Sequence, residues 1–141
     1  MSSKMFVVCE RGFDSSPAHG VYTSLLRAIV SAMRVEEAYA TDYGLSVQVF
    51  NVDQEIELET LTDDNGSNTS VKYIDTCVVD VERLDTGDDT VRIQVELSNE
   101  HIADIGIDIT DLINGVCGEC GFNISNIKHM EDWVIFELTK E

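Results

Sequence analysis

Apolar and polar residues recur along this chain with two different periods. From 91 to 97, Val91, Ile93, Val95 and Leu97 alternate with Arg92, Gln94 and Glu96. A period of two places the apolar set on one face of a strand and the polar set on the other, as in a one-sided antiparallel sheet. Residues 71–84 predict a partner strand, joined to it by Asp85-Thr86-Gly87-Asp88-Asp89-Thr90. Further on, Ile109, Leu112, Ile113, Val116, Cys117 and Cys120 return at intervals of three and four, which is one face of a helix. Asp108 can cap its start, and Gly121 stands where a left-handed residue ends it, with Phe122 folding back. Residues 122–130 and 133–139 then make a closing hairpin around Glu131-Asp132.

The first part of the chain reads in the same way. Residues 5–10 predict a short buried strand, and 11–17 a loop holding the only proline. Val21 and Tyr22 predict a second short strand, and Ser24 a helix cap. The helix runs through Leu25, Ile29, Ala32/Met33 and 36–40, with Gly44 as its stop. Pro17 offers an earlier helix start. The later one is preferred because Gly20 would cost about 1 kcal/mol in a helix interior. Residues 45–60 are extended, with a change of phase that predicts a bulge near 50–53, and 61–70 form a polar loop.

The element order is β-β-α-β followed by β-β-α-β-β. It predicts an α+β fold: a mainly antiparallel sheet with two helices packed on one face. At 141 residues one domain is expected, with a strand-helix-strand half over 1–60 and a hairpin-helix-hairpin half over 61–141. A hydrophobic content of 43% supports a packed core rather than a disordered chain. Apolar runs are only a few residues long, so no membrane span or secretion signal is expected, and the chain is expected in the cytoplasm. Three glycosylation-like triplets, at Asn65, Asn68 and Asn123, are then turn and strand residues.

Charge changes the picture more than composition does. The net charge is −18, from 27 acids and 9 bases. Residues 1–52 hold five acids and four bases, whereas 53–141 hold 22 and five. Such a field repels nucleic acid and attracts basic partners. The asymmetry argues for a local cause rather than a general adaptation to salt. Asp53, Glu55, Glu57 and Glu59 alternate with Gln54, Ile56 and Leu58, so on a strand they project from one face about 6.8 Å apart. Asp63, Asp64, Asp80, Glu82, Asp85, Asp88 and Asp89 extend the field from neighbouring strands and turns. A carboxylate row of this kind can stand in for the phosphate path of a nucleic acid, or it can simply be a solvated face that discourages edge pairing.

Other chemistry is sparser. Cys117-Gly118-Glu119-Cys120 has half the spacing of a zinc site, but both thiols fall on the apolar helical stripe, where free cysteine packs as a small hydrophobe. Asp14, Ser15, Ser16 and His19 bring acid, nucleophile and base types into one loop, which is more simply a turn. Glu100, His101, Asp104, Asp108 and Asp111 lack calcium-loop spacing and read as a charged loop before a capped helix. No catalytic residue and no cofactor is expected.

Residues 5–50 resemble the start of short phage-encoded proteins of unknown function, through the strand Met5-Phe6-Val7-Val8-Cys9-Glu10, a polar turn, and Gly20-Val21-Tyr22-Thr23-Ser24 entering a helix. The resemblance covers about a third of the chain and implies a viral origin, with no site residue to carry over. The expectation is a non-enzymatic acidic protein that engages a basic host protein, as a nucleic-acid mimic or inhibitor. The alternatives are a homo-oligomeric assembly protein and a small metal-binding protein or enzyme using Cys117 and Cys120.

Overall fold

The structure, a computed structural model, describes residues 4–11, 18–38, 41, 43–51, 59–62, 68–71 and 77–140. In chain order the elements are β1 (Lys4–Glu10), β2 (Ala18–Tyr22), α1 (Leu25–Ala38), β3 (Leu45–Asn51), β4 (Glu59–Thr62), β5 (Asn68–Val71), β6 (Cys77–Leu84), β7 (Val91–Ser98), α2 (Asn99–Ile105), α3 (Ile109–Cys120), β8 (Asn123–His129) and β9 (Trp133–Lys140). Seven strands form one sheet in the order β2-β1-β3-β6-β7-β9-β8, with every neighbouring pair antiparallel. β4 and β5 pair separately.

Strand register turns the alternation in the sequence into rows of core residues. Val8, Val47, Val79, Leu97 and Val134 stand opposite one another in turn across five strands, and all are buried. Leu45, Val81, Val95 and Phe136 make the next row. The buried side of α1 (Leu25, Ala28, Ile29, Ala32 and Met33 among others) joins the same core, as do Leu112, Ile113 and Val116 of α3. The two helices approach closely at Gly115, where a Cβ would lie 3.2 Å from Leu26 Cδ1. The helix caps follow their residue types. Ser24 Oγ accepts from Arg27 N at 3.4 Å, and Asp108 Oδ1 accepts from Asp111 N at 3.1 Å. Gly121 is left-handed, and the Cys117 carbonyl accepts from both Gly121 N and Phe122 N.

Among the described residues the expected pair of helices is corrected to three. Residues 99–105, read from sequence as part of a charged loop, form α2. A seven-residue helix is too short to show a periodicity. What holds it is tertiary and terminal: Ile102 is buried, Asn99 N donates to Asp132 O at 2.9 Å, and left-handed Gly106 donates to the carbonyls of Ile102 and Ala103. The long extended run is likewise divided. β3 ends at Asn51, and the supposed polar loop contains the end of β4 and most of β5. The register irregularities lie at Val8/Cys9, Val47/Gln48 and Ile124/Asn126, while much of the bulge expected near 50–53 falls outside the described residues. Helix α1 ends at Ala38, well before Gly44. Gly44 instead serves the sheet: its φ is +84°, and a Cβ there would lie 2.7 Å from the Val81 carbonyl oxygen.

Candidate acidic binding face

The sheet face away from the core rows is set by the same register. Asp80 stands opposite Glu96, and Glu82 opposite Gln94, across β6 and β7. Gln94 in turn faces Glu137 on β9. Four carboxylates therefore share one face of three adjacent strands. Like charges directly opposite one another in a sheet destabilise it. Arg11 Nη1 lies 3.4 Å from Asp80 Oδ1, a half-exposed pair. Gln94 Nε2 donates to Glu96 Oε1 at 2.8 Å, and Cys77 Sγ donates to Asp80 Oδ1 at 3.3 Å. Glu96 is pushed above the usual carboxylate range, first by burial and then by the Asp80 charge, with Glu82 adding to it and Arg11 opposing. Burial leads this rise, and the neighbouring carboxylates add to it more than Arg11 offsets.

The turn between β6 and β7 uses its acids differently. Asp85 Oδ1 accepts from Gly87 N at 3.0 Å, and Asp88 Oδ1 accepts from Thr90 N at 2.8 Å and from Thr86 Oγ1 at 2.9 Å. The Thr90 amide, followed by the threonine hydroxyls, lowers the Asp88 pKa. Gly87, at φ +73°, supplies the left-handed residue that this loop needs. Asp85 and Asp88 are thus turn builders as well as surface charge. Asp89 is exposed beside them.

Of the acids singled out in the sequence, the structure brings Asp80 and Glu82 together on the sheet and puts Asp85, Asp88 and Asp89 at the end of the same hairpin. Asp53, Glu55, Glu57, Asp63 and Asp64 lie outside the described residues. Glu59 opens β4, opposite Val71. Glu96 and Glu137 complete the sheet group and were not in the expected set. Their signal was present, since each alternates with residues that point into the core.

The two cysteines of α3 pack against the core. Cys120 is buried and Cys117 half-buried on α3; both are free thiols whose pKa is raised, mainly by burial. Among the described residues no group of three or more His, Cys, Asp or Glu side chains is arranged to hold a metal ion. His19 Nε2 sits 3.1 Å from Glu10 Oε2, and Asp14, Ser15 and Ser16 lie outside the described residues. Ser98 Oγ is 2.9 Å from His101 Nδ1, across the first turn of α2. Among the described residues no helix is long and apolar enough to cross a membrane.

Sequence reasoning missed Glu36. Its side chain is fully buried, yet it accepts from Thr41 Oγ1 and, at 3.2 Å, from Arg83 N. Arg83 Nη1 donates to the carbonyls of Glu36 and Glu37 at the end of α1. Lys140 Nζ bonds Glu37 Oε1 at 2.6 Å and Cys120 O at 3.1 Å, joining the ends of α1 and α3 to β9. These contacts clasp helices to the sheet. No family model, curated protein or solved structure matches the chain significantly.

Proposed function

We propose that this chain is a small, non-enzymatic acidic binding protein that engages a basic protein through its carboxylate-rich sheet face. The observation that carries this reading is the side-by-side placement of Asp80 and Glu96, flanked by Glu82 and Glu137. A solvated face alone does not require carboxylates in direct opposition, where they repel one another. A cationic partner turns that repulsion into attraction. Spacings of about 4.8 Å between strands and about 6.8 Å along them provide a charged grid on a rigid scaffold. Such a grid suits the phosphate-binding groove of a nucleic-acid enzyme, as a mimic or inhibitor would use it. The resemblance of residues 5–50 to phage-encoded proteins favours a host protein, such as a defence enzyme, as the partner.

The test is capture from host lysate at low and high salt, followed by competition of the identified partner with duplex DNA. Neutralising Glu82, Glu96 and Glu137 to glutamine, or reversing Glu55, Glu57 and Glu59, is expected to weaken capture and flatten its salt dependence. Capture that is indifferent to both changes, or that duplex DNA does not compete, would sink the proposal.

A further inference from the structure

β8 is an edge strand, and all seven of its residues are exposed. The core rows run out into it. The Val134 row ends at His129, the Phe136 row at Ile127 and the Leu138 row at Ile124. Ile124 is 38% exposed and Ile127 45%. On the helix side these residues border a groove of ≈ 340 Å³, closed by Ile109 and Ile113 of α3 and floored by Val134 and Phe136. An exposed edge strand is a template for pairing, and the register irregularity between Ile124 and Asn126 leaves Asn126–His129 as its regular stretch. Proteins usually blunt such an edge with charge, and in β8 Lys128 supplies a positive one. Here Asn123-Ile124-Ser125-Asn126-Ile127-Lys128-His129 holds no carboxylate, and neither does the groove lining, in a chain of net charge −18.

The hydrogen-bond phase of β8 identifies what fits. Met130 N donates to Trp133 O at 2.8 Å, closing the hairpin. In an antiparallel ladder bonded and unbonded pairs alternate. Counting back from that bonded pair, Lys128 with Ile135 is bonded and Ile127 with Phe136 is not. The N–H and C=O of Ile127 therefore point out along the free edge. Its N–H is held meanwhile by the neighbouring Asn126 Oδ1 at 3.0 Å. A second antiparallel β8 centred on this residue would exchange two main-chain hydrogen bonds between Ile127 and its copy, about a two-fold axis. The same register sets Asn126 opposite the partner's Lys128. Asn126 is itself opposite Glu137, so the partner's Lys128 lies in the row of Glu137, two strands or about 10 Å away along the row. That distance is within the combined reach of the two side chains. The register thus gives a charge-complementary contact in each direction.

We infer that β8 is the dimer edge of this protein: two copies pair β8 to β8 through Ile127, extending the sheet across a two-fold axis and closing each apolar groove with the other copy's isoleucines. The inference shares only Glu137 with the acidic-face reading, and the Ile127→Lys test does not touch that face. The acidic strands lie inside the sheet, and an acid-free edge is where two copies repel each other least. An interface of one strand pair and two shallow grooves is small, so association is concentration-dependent.

Sedimentation equilibrium on the full chain, from about 1 μM to about 1 mM, tests it. The wild type is expected to pass from monomer to dimer within that range. Ile127→Lys, at an exposed position, is expected to abolish the dimer while circular dichroism remains native. Lys128→Glu is expected to weaken it at least tenfold, and the exchange K128E/E137K to restore it. A wild type that stays monomeric throughout overturns the proposal, as does a dimer unaffected by Ile127→Lys. Failure of the charge exchange to restore pairing overturns the register.

Discussion

The buried carboxylate Glu36 makes this protein's stability depend on pH. Burial raises its pKa, and burial with the Asp80 charge raises that of Glu96. The folded chain therefore keeps protons that the unfolded chain has already released. Stability from these two groups is fully present below the unfolded glutamate value, 4.5, and is lost as pH rises through the higher folded values. Glu36→Gln is expected to flatten that loss while keeping one acceptor for Thr41 or Arg83. Glu36→Ala leaves the Arg83 amide without its partner and is expected to cost about 1–3 kcal/mol at any pH. Urea unfolding of the two variants between pH 4 and pH 8 checks both the sign and the difference. Nothing in the helical spacing around 36–40 announced this role, because one of its two partners, the Arg83 amide, comes from β6, far along the chain. By contrast, the outward position of Glu96 was legible from the alternation of β7 alone. What could not be read there was its crowding, which needs the register of β6.

At the level of elements, caps and close approaches divide into those that a sequence displays and those that only packing creates. Asp108 and Gly121 stand where side-chain type and left-handed geometry dictate, so both ends of α3 were readable. Asp108→Ala is expected to cost about 1 kcal/mol. Gly44 has the right type for a helix stop, yet it works beside β6, against the Val81 carbonyl oxygen. Gly44→Ala combines a disfavoured φ with a backbone clash and is expected to cost more than Asp108→Ala, by roughly 1–2 kcal/mol. The order of the two denaturation midpoints checks the assignment. α2 escaped sequence reading because one buried isoleucine and a left-handed glycine do not make a periodic pattern. The division of the run from 45 to 60 escaped it because alternation reports extended backbone, and not which sheet a segment joins.

Over the whole molecule, charge outweighs every other surface property. With −18 spread over 141 residues, self-repulsion opposes compaction. Added salt shortens the screening length from about 10 Å at 0.1 M to about 3 Å at 1 M. Stability is therefore expected to rise with sodium chloride, measured as the thermal midpoint between about 0.05 and 0.5 M. A midpoint that falls over this range would mean that attractive ion pairs outweigh repulsion.

The strand order β2-β1-β3-β6-β7-β9-β8 has one more consequence. Its first three strands come from the beginning of the chain and its last four from the end, so the halves of the sheet are also halves of the polypeptide. A single ladder, β3 with β6, stitches them, and α1 lies over the seam, with Arg83 bonded to its last turn. A break in the backbone between β3 and β6 severs none of the seven-stranded ladders. The fold is thus laid out for fragment complementation, with a nearly neutral piece and a strongly anionic one meeting along one strand ladder and the packing of α1 against α3 and β6.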